Sequence, residues 1–206
     1  MSYVVKRMML GPVQTNTYIA YDDKIGEAVI VDPAASADRI AEKITGMGVK
    51  PVAVLLTHGH FDHIGAVEEL RDKYGIKVYA YEDEKEILCS DANLAIMMGE
   101  RICLDADEYL RDLQVLELGG VKYKVFHTPG HTKGSCCYYV ENEKVLFSGD
   151  TMFCQSYGRT DFPTGSYGML MRSIQRLLEL SDDVTVYPGH NEDTKIGYER
   201  KMYDFN

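Results

Sequence analysis

An unbroken apolar run, Val52 to Leu56, leads directly into Thr57-His58-Gly59-His60-Phe61-Asp62-His63. Such a run reads as a β-strand covered on both faces, so the histidine cluster lies in a turn at a strand's carboxyl end. The pattern recurs: Gly130-His131 follows Lys124-Val125-Phe126, Gly149-Asp150 follows Leu146-Phe147, and Gly189-His190 follows Val186-Tyr187. Glycine beside each group lets the backbone turn sharply and approach an ion closely. Turns at the carboxyl ends of neighbouring strands converge, which is where sheet-based enzymes place their sites. The fold must therefore be one that gathers these distant turns.

Imidazole nitrogens and carboxylate oxygens are ligands for zinc, iron or manganese. His58, His60, Asp62, His63, His131, Asp150 and His190 are too many for one ion. They suit two ions roughly 3.5 to 4 Å apart that share a carboxylate, and hydrolysis is the natural chemistry of such a pair. Two divalent metals, with zinc ahead of iron or manganese, are the expected cofactors. His58 and His60, alternate residues of an extended loop, grip one ion, while Asp62 and His63 open the next helix and face the other.

Around these turns the chain alternates. Tyr3 to Leu10, Thr17 to Tyr21 and Ala28 to Val31 read as an antiparallel meander, and Ser36 to Met47 as an amphipathic helix capped by Ser36 and stopped by Gly48. A helix over Gly65 to Tyr74 and a strand over Ile76 to Ala80 follow the histidine cluster. Residues 82–107 are mixed, with helical stretches near Glu84 to Leu88 and Ala92 to Met98, and suit a lid over the site. Strands are expected at Gln114 to Leu118, Val121 to Phe126, Cys136 to Val140, Lys144 to Phe147 and Val184 to Tyr187, with a helix over Tyr167 to Leu180. This is an α/β layered architecture in one domain spanning residues 1–206.

The formal charge of −10 argues against a phosphate-tracking surface, so no nucleic-acid partner is expected. The first ten residues hold only a short apolar stretch after Lys6 and Arg7, too little for a signal peptide or a membrane span. The five cysteines, Cys89, Cys103, Cys136, Cys137 and Cys154, lack the spacing of a zinc ribbon or a disulfide framework. They read as reduced thiols in a cytoplasmic protein. Exposed apolar residues on the sheets leave room for a homodimer.

Thr57-His58-Gly59-His60-Phe61-Asp62-His63, Thr128-Pro129-Gly130-His131-Thr132, Ser148-Gly149-Asp150-Thr151 and Tyr187-Pro188-Gly189-His190 resemble the ordered motifs of the metallo-β-lactamase-fold hydrolases, and among them the glyoxalase II-like branch. The resemblance covers nearly the whole chain. It implies a four-layer αβ/βα sandwich, with His58, His60 and His131 on one metal, Asp62, His63 and His190 on the other, and Asp150 bridging. Asp150, and the lack of a cysteine ligand, resemble thioesterase-like members more than antibiotic-hydrolysing lactamases. Glyoxalase II proper continues into a helical domain whose basic residues grip glutathione, whereas sixteen residues follow His190 here.

The implied activity is cleavage of a small thioester such as a hydroxyacylglutathione by a hydroxide held between the metals, with Asp62 and Asp150 orienting it. Gly158-Arg159-Thr160-Asp161-Phe162 also resembles a stretch of the persulfide dioxygenases, so a mononuclear iron dioxygenase is the alternative. Arg159, Lys133 and Tyr157 are the candidate substrate contacts, although Arg159 could equally pair with Asp161. His127 suits a supporting role, Cys154 a buried packing role, Met97 and Met98 core filling, and Asp32 a turn cap or a hydrogen bond to a ligand histidine.

Overall fold

The computed structural model describes residues 3–203. The one-domain reading also covers residues 1, 2 and 204–206, which lie outside the described ones. The first sheet is built from β1 (Tyr3–Leu10), β2 (Thr15–Asp22), β3 (Glu27–Val31), β4 (Lys50–Leu55), β5 (Lys77–Tyr81) and β6 (Glu108–Leu110), in that spatial order. Its first three strands are the expected antiparallel meander, and β3 to β6 run parallel. The second sheet contains β7 (Val115–Leu118), β8 (Val121–His127), β9 (Cys136–Val140), β10 (Val145–Gly149), β13 (Thr185–Pro188) and β14 (Thr194–Lys195), with order β14-β13-β10-β9-β8-β7. A small hairpin, β11 (Met152–Phe153) with β12 (Ser156–Tyr157), follows β10.

Strand alternation sorts the apolar residues into three cores. Ile30, Val54 and Val78 point to one side, where α1 (Ala37–Met47) and α3 (Val67–Tyr74) bring Ile40, Ile44 and Leu70. Val29 and Leu55 point to the other and meet Val125, Tyr138 and Phe147 of the second sheet. On that sheet's outer face, Leu146 and Val186 pack against Leu170, Ile174 and Leu177 of α5 (Tyr167–Leu177). The layers are helix, sheet, sheet, helix, the expected αβ/βα sandwich. Among the described residues no helix is long and apolar enough to cross a membrane.

Several local expectations need correction. Ser36 occupies the N-cap of α1, but its side chain makes no capping bond, and Gly48 closes the helix in the left-handed region as expected. The helix expected over Gly65 to Tyr74 is α3, which begins at Val67; a separate short helix, α2 (Phe61–Ile64), precedes it and carries Asp62 and His63, and α5 ends at Leu177. Residues 82–98 are α4 (Lys85–Leu88) among short 3-10 turns. The short strands β6, β11, β12 and β14, and α6 (Ile196–Glu199), were not anticipated, because two to four residues carry no readable periodicity. Cys89 and Cys103 form a disulfide, which overturns the reading of all five cysteines as thiols; Cys136, Cys137 and Cys154 are free.

Candidate metal centre

The two sheets are pinned together at the edge where the motif turns emerge. Tyr138 in β9 donates its hydroxyl proton to the Leu56 carbonyl at 2.7 Å, and the Cys136 N–H donates to the Thr57 carbonyl at 2.9 Å. Asn16 and Tyr18 of β2 reach the turn after β13: the Asn16 N–H donates to the Gly189 carbonyl at 2.7 Å and the Tyr18 hydroxyl to the Pro188 carbonyl at 2.6 Å. Gly149, with φ +50°, lets the β10 turn pass close over Thr57, where a Cβ would collide with the threonine side chain. These bonds bring all seven candidate ligands into one cluster.

Two groups of donors result. His58 Nε2 lies 3.1 Å and His131 Nε2 2.9 Å from His60 Nδ1. Nitrogens of a tetrahedral zinc site stand about 3.3 Å apart, given Zn–N bonds of about 2.0–2.1 Å. On the other side, His190 Nε2 and His63 Nε2 lie 3.3 and 3.5 Å from Asp62 Oδ2. Asp150 sits between the groups, with Oδ2 3.5 Å from both His131 Nε2 and His190 Nε2 and Oδ1 3.5 Å from His63 Nε2. His63 Nε2 and Asp150 Oδ1, 3.5 Å apart, are both buried without a hydrogen-bond partner. Buried orphan donors and acceptors facing one another are costly unless a cation satisfies them. The residues fit a divalent metal site.

Surrounding groups fix which ring nitrogen faces inward. His131 Nδ1–H donates to the Arg159 carbonyl at 2.7 Å, and His63 Nδ1–H to Asp32 Oδ2 at 3.0 Å. Asp32 also accepts from the Thr57 N–H at 2.8 Å and the Thr57 hydroxyl at 2.6 Å, and His58 Nδ1 lies 3.2 Å from that hydroxyl. Such partners leave the opposite nitrogen's lone pair free for a metal. Asp62 accepts from the Thr15 hydroxyl at 2.7 Å. Burial and then neighbouring imidazoles hold the pKa of His58 and His60 well below the ordinary value, keeping both neutral as ligands must be. Burial also disfavours charge on His63, but Asp62, Asp150 and Asp32 outweigh it and push its pKa up to about 10, so a metal there displaces a proton.

Glu84 carried no signal in the sequence, yet it is fully buried beside the centre. Its carboxylate accepts from the Gly59 N–H at 3.0 Å and from the Thr132 hydroxyl, tying the loop of His58 and His60 to the loop of His131. Burial pushes its pKa up to about 7 against the pull of those hydrogen bonds.

The centre opens into a cavity of about 540 Å³ lined by Arg159 and Tyr157 among others. Arg159 is paired with Asp161 at 2.7 and 2.6 Å and lies over the Phe162 ring at 3.9 Å, so the ion pair weighed against a substrate contact is the one present. Lys133 stands off the cavity and pairs with Glu86. Met97 and Met98 are not core: they are 64% and 49% exposed and line the cavity. A 3-10 turn over Ala95–Met98 replaces the expected helix and turns them outward. His127 stacks on Tyr81 and bonds the Lys133 carbonyl at 2.9 Å, and Cys154 is half-buried.

Residues 10–190 match the model of the metallo-beta-lactamase superfamily. The chain is 34% identical to the hydroxyacylglutathione hydrolase GloC of Haemophilus influenzae, over 93% of this chain and 92% of that one. Among solved structures it is similar to the BLEG-1 B3 metallo-beta-lactamase, with TM-score 0.91, 41% identity and 96% and 97% of the two chains covered. It is also similar to TTHA1623 in a di-iron-bound form, with TM-score 0.88, 31% identity and 98% and 100% covered.

Proposed function

Because the chain belongs to the metallo-beta-lactamase superfamily of metal-dependent hydrolases, we propose that it cleaves a small thioester at a two-metal centre. The observation that carries this reading is Asp150, whose two oxygens face His63, His131 and His190 and so join both donor groups. His58, His60 and His131 would hold one ion and Asp62, His63 and His190 the other, with Asp150 shared. Divalent ions bound there, zinc first with iron or manganese as alternatives, would supply an acidified water and an electrophile for a carbonyl oxygen. Asp62 and Asp150 serve as acceptors that orient the attacking water, and Asp62 is itself held by Thr15. A thiolate leaving group, with pKa about 8.5, departs without a strong general acid, so no further proton donor is required.

The thioester reading draws support from the relative named as a hydroxyacylglutathione hydrolase. Gly158 to Phe162 favours a second reading, a mononuclear iron dioxygenase acting on a persulfide, but the two donor groups joined through Asp150 argue for two ions. Metal analysis combined with thiol-release and oxygen-uptake assays decides. Two metals per chain with thiol release from a thioester support the hydrolase; one iron with substrate-dependent oxygen consumption overturns it. A loaded protein that opens only β-lactams would overturn it as well.

A further inference from the structure

The cavity wall facing the metal centre is apolar to a degree that a purely polar substrate does not explain. Leu94, Met97, Met98, Val13, Phe61 and Phe153 line the same cavity as His60, Asp62 and His190. Val13, Met97 and Met98 are 47%, 64% and 49% exposed, and large apolar side chains held open to water beside a catalytic centre mark a binding surface. Leu94, Met97 and Met98 all lie in the segment closed by the Cys89–Cys103 disulfide. That bond ties together the two ends of the segment that carries this part of the wall.

Charge points the same way. Arg159 is the only lysine or arginine lining the cavity among the described residues, and its guanidinium is engaged by Asp161 and seated on Phe162. Away from the metal ligands, a carrier with a net negative charge, such as glutathione with two carboxylates and one ammonium, meets no unpaired lysine or arginine side chain to hold its carboxylates.

We infer that the site selects thioesters with an extended apolar acyl chain on an uncharged thiol carrier, the chain lying along Leu94, Met97 and Met98. This rests on the thioester-hydrolase reading and narrows its substrate class. Burial of one methylene contributes up to about fourfold in kcat/KM, so four methylenes at half burial contribute about 15-fold. Met97 and Met98 act as specificity determinants, and their polarisable, flexible side chains suit chains of varying length.

The test uses the metal-loaded protein with acetyl and hexanoyl thioesters of N-acetylcysteamine, a neutral carrier, and the same acyl groups on glutathione. The expected result is a kcat/KM at least tenfold higher for hexanoyl than for acetyl on the neutral carrier, with glutathione disfavoured at equal acyl group. In the double variant Met97→Ser, Met98→Ser the hexanoyl-to-acetyl ratio should fall at least threefold, through KM rather than kcat. Both side chains are exposed, so the fold tolerates the change; far-ultraviolet circular dichroism checks this. Cleavage with no gain from acetyl to hexanoyl, a tenfold preference for glutathione, or a ratio unmoved in the variant overturns the inference while leaving the hydrolase reading intact. Failure to release thiol from every thioester overturns the hydrolase reading, and this inference with it.

Discussion

Asp32→Asn isolates one charge at the heart of the site. Asp32 is buried and has φ +48°, a conformation that asparagine also tolerates, so the substitution preserves shape and backbone. The wild-type carboxylate accepts three hydrogen bonds, from the Thr57 N–H, the Thr57 hydroxyl and His63 Nδ1–H. An amide has one acceptor oxygen, so its NH2 must face a donor or donate to His63 Nδ1. The first outcome leaves a buried donor unpaired, at a cost of about 1–3 kcal/mol. The second places the proton of His63 on Nε2, the nitrogen that faces Asp62 and Asp150, and removes it as a ligand. Loss of such a supporting partner lowers metal affinity about 10- to 100-fold, or about 1.4–2.7 kcal/mol. Zinc titration of the metal-free protein against a chromophoric chelator should show one of two sites weakened by that factor. Urea unfolding with excess chelator should show a loss of about 1–3 kcal/mol. Two sites of unchanged affinity would refute the claim that Asp32 sets the His63 tautomer.

Gly149→Ala places a Cβ against Thr57 at a positive φ, so urea unfolding should show a loss of at least about 2 kcal/mol and metal binding should weaken; unchanged stability refutes the close approach. Glu84 has a folded pKa raised to about 7 from an ordinary 4.5. The folded state therefore holds a proton the unfolded chain has released, and the contribution present below about pH 4.5 is lost as pH rises through about 7. In metal-free protein, Glu84→Gln should flatten the pH dependence of stability across that window; an unchanged slope refutes the assignment. Tyr138→Phe removes the hydroxyl that donates to the Leu56 carbonyl between the sheets, and should cost about 1 kcal/mol in urea unfolding; no loss would show that this bond does not hold the sheets at the site.

The cluster at 58–63 was legible because an apolar strand precedes it and each later ligand repeats the strand-glycine-ligand arrangement, a local pattern that needs no knowledge of distant contacts. The same holds for the layers: the alternation that sends Ile30 to the helices and Val29 to the second sheet is written in period two. Asp32 was legible only as two alternatives, because its bonds to Thr57 and His63 span 25 and 31 residues. Glu84 was silent for the same reason, since one glutamate in an acidic stretch looks like any solvated one until Gly59 and Thr132 close over it. Met97 and Met98 were misread because helical spacing from Leu94 says nothing about a left-handed residue at Leu94 that breaks the helix. The Cys89–Cys103 bond joins residues in a segment with no regular element to set their distance.

The central claim is that turns far apart in sequence form one centre for two cations joined through Asp150. Elemental analysis of metal per chain, run on the wild-type protein and on Asp150→Ala after equilibration with zinc and gel filtration, tests it directly. The account predicts about two ions per chain in the wild type, falling to one or fewer in the variant while His58, His60 and His131 remain. A wild-type ratio of one or none, or a variant that keeps both ions, would contradict it.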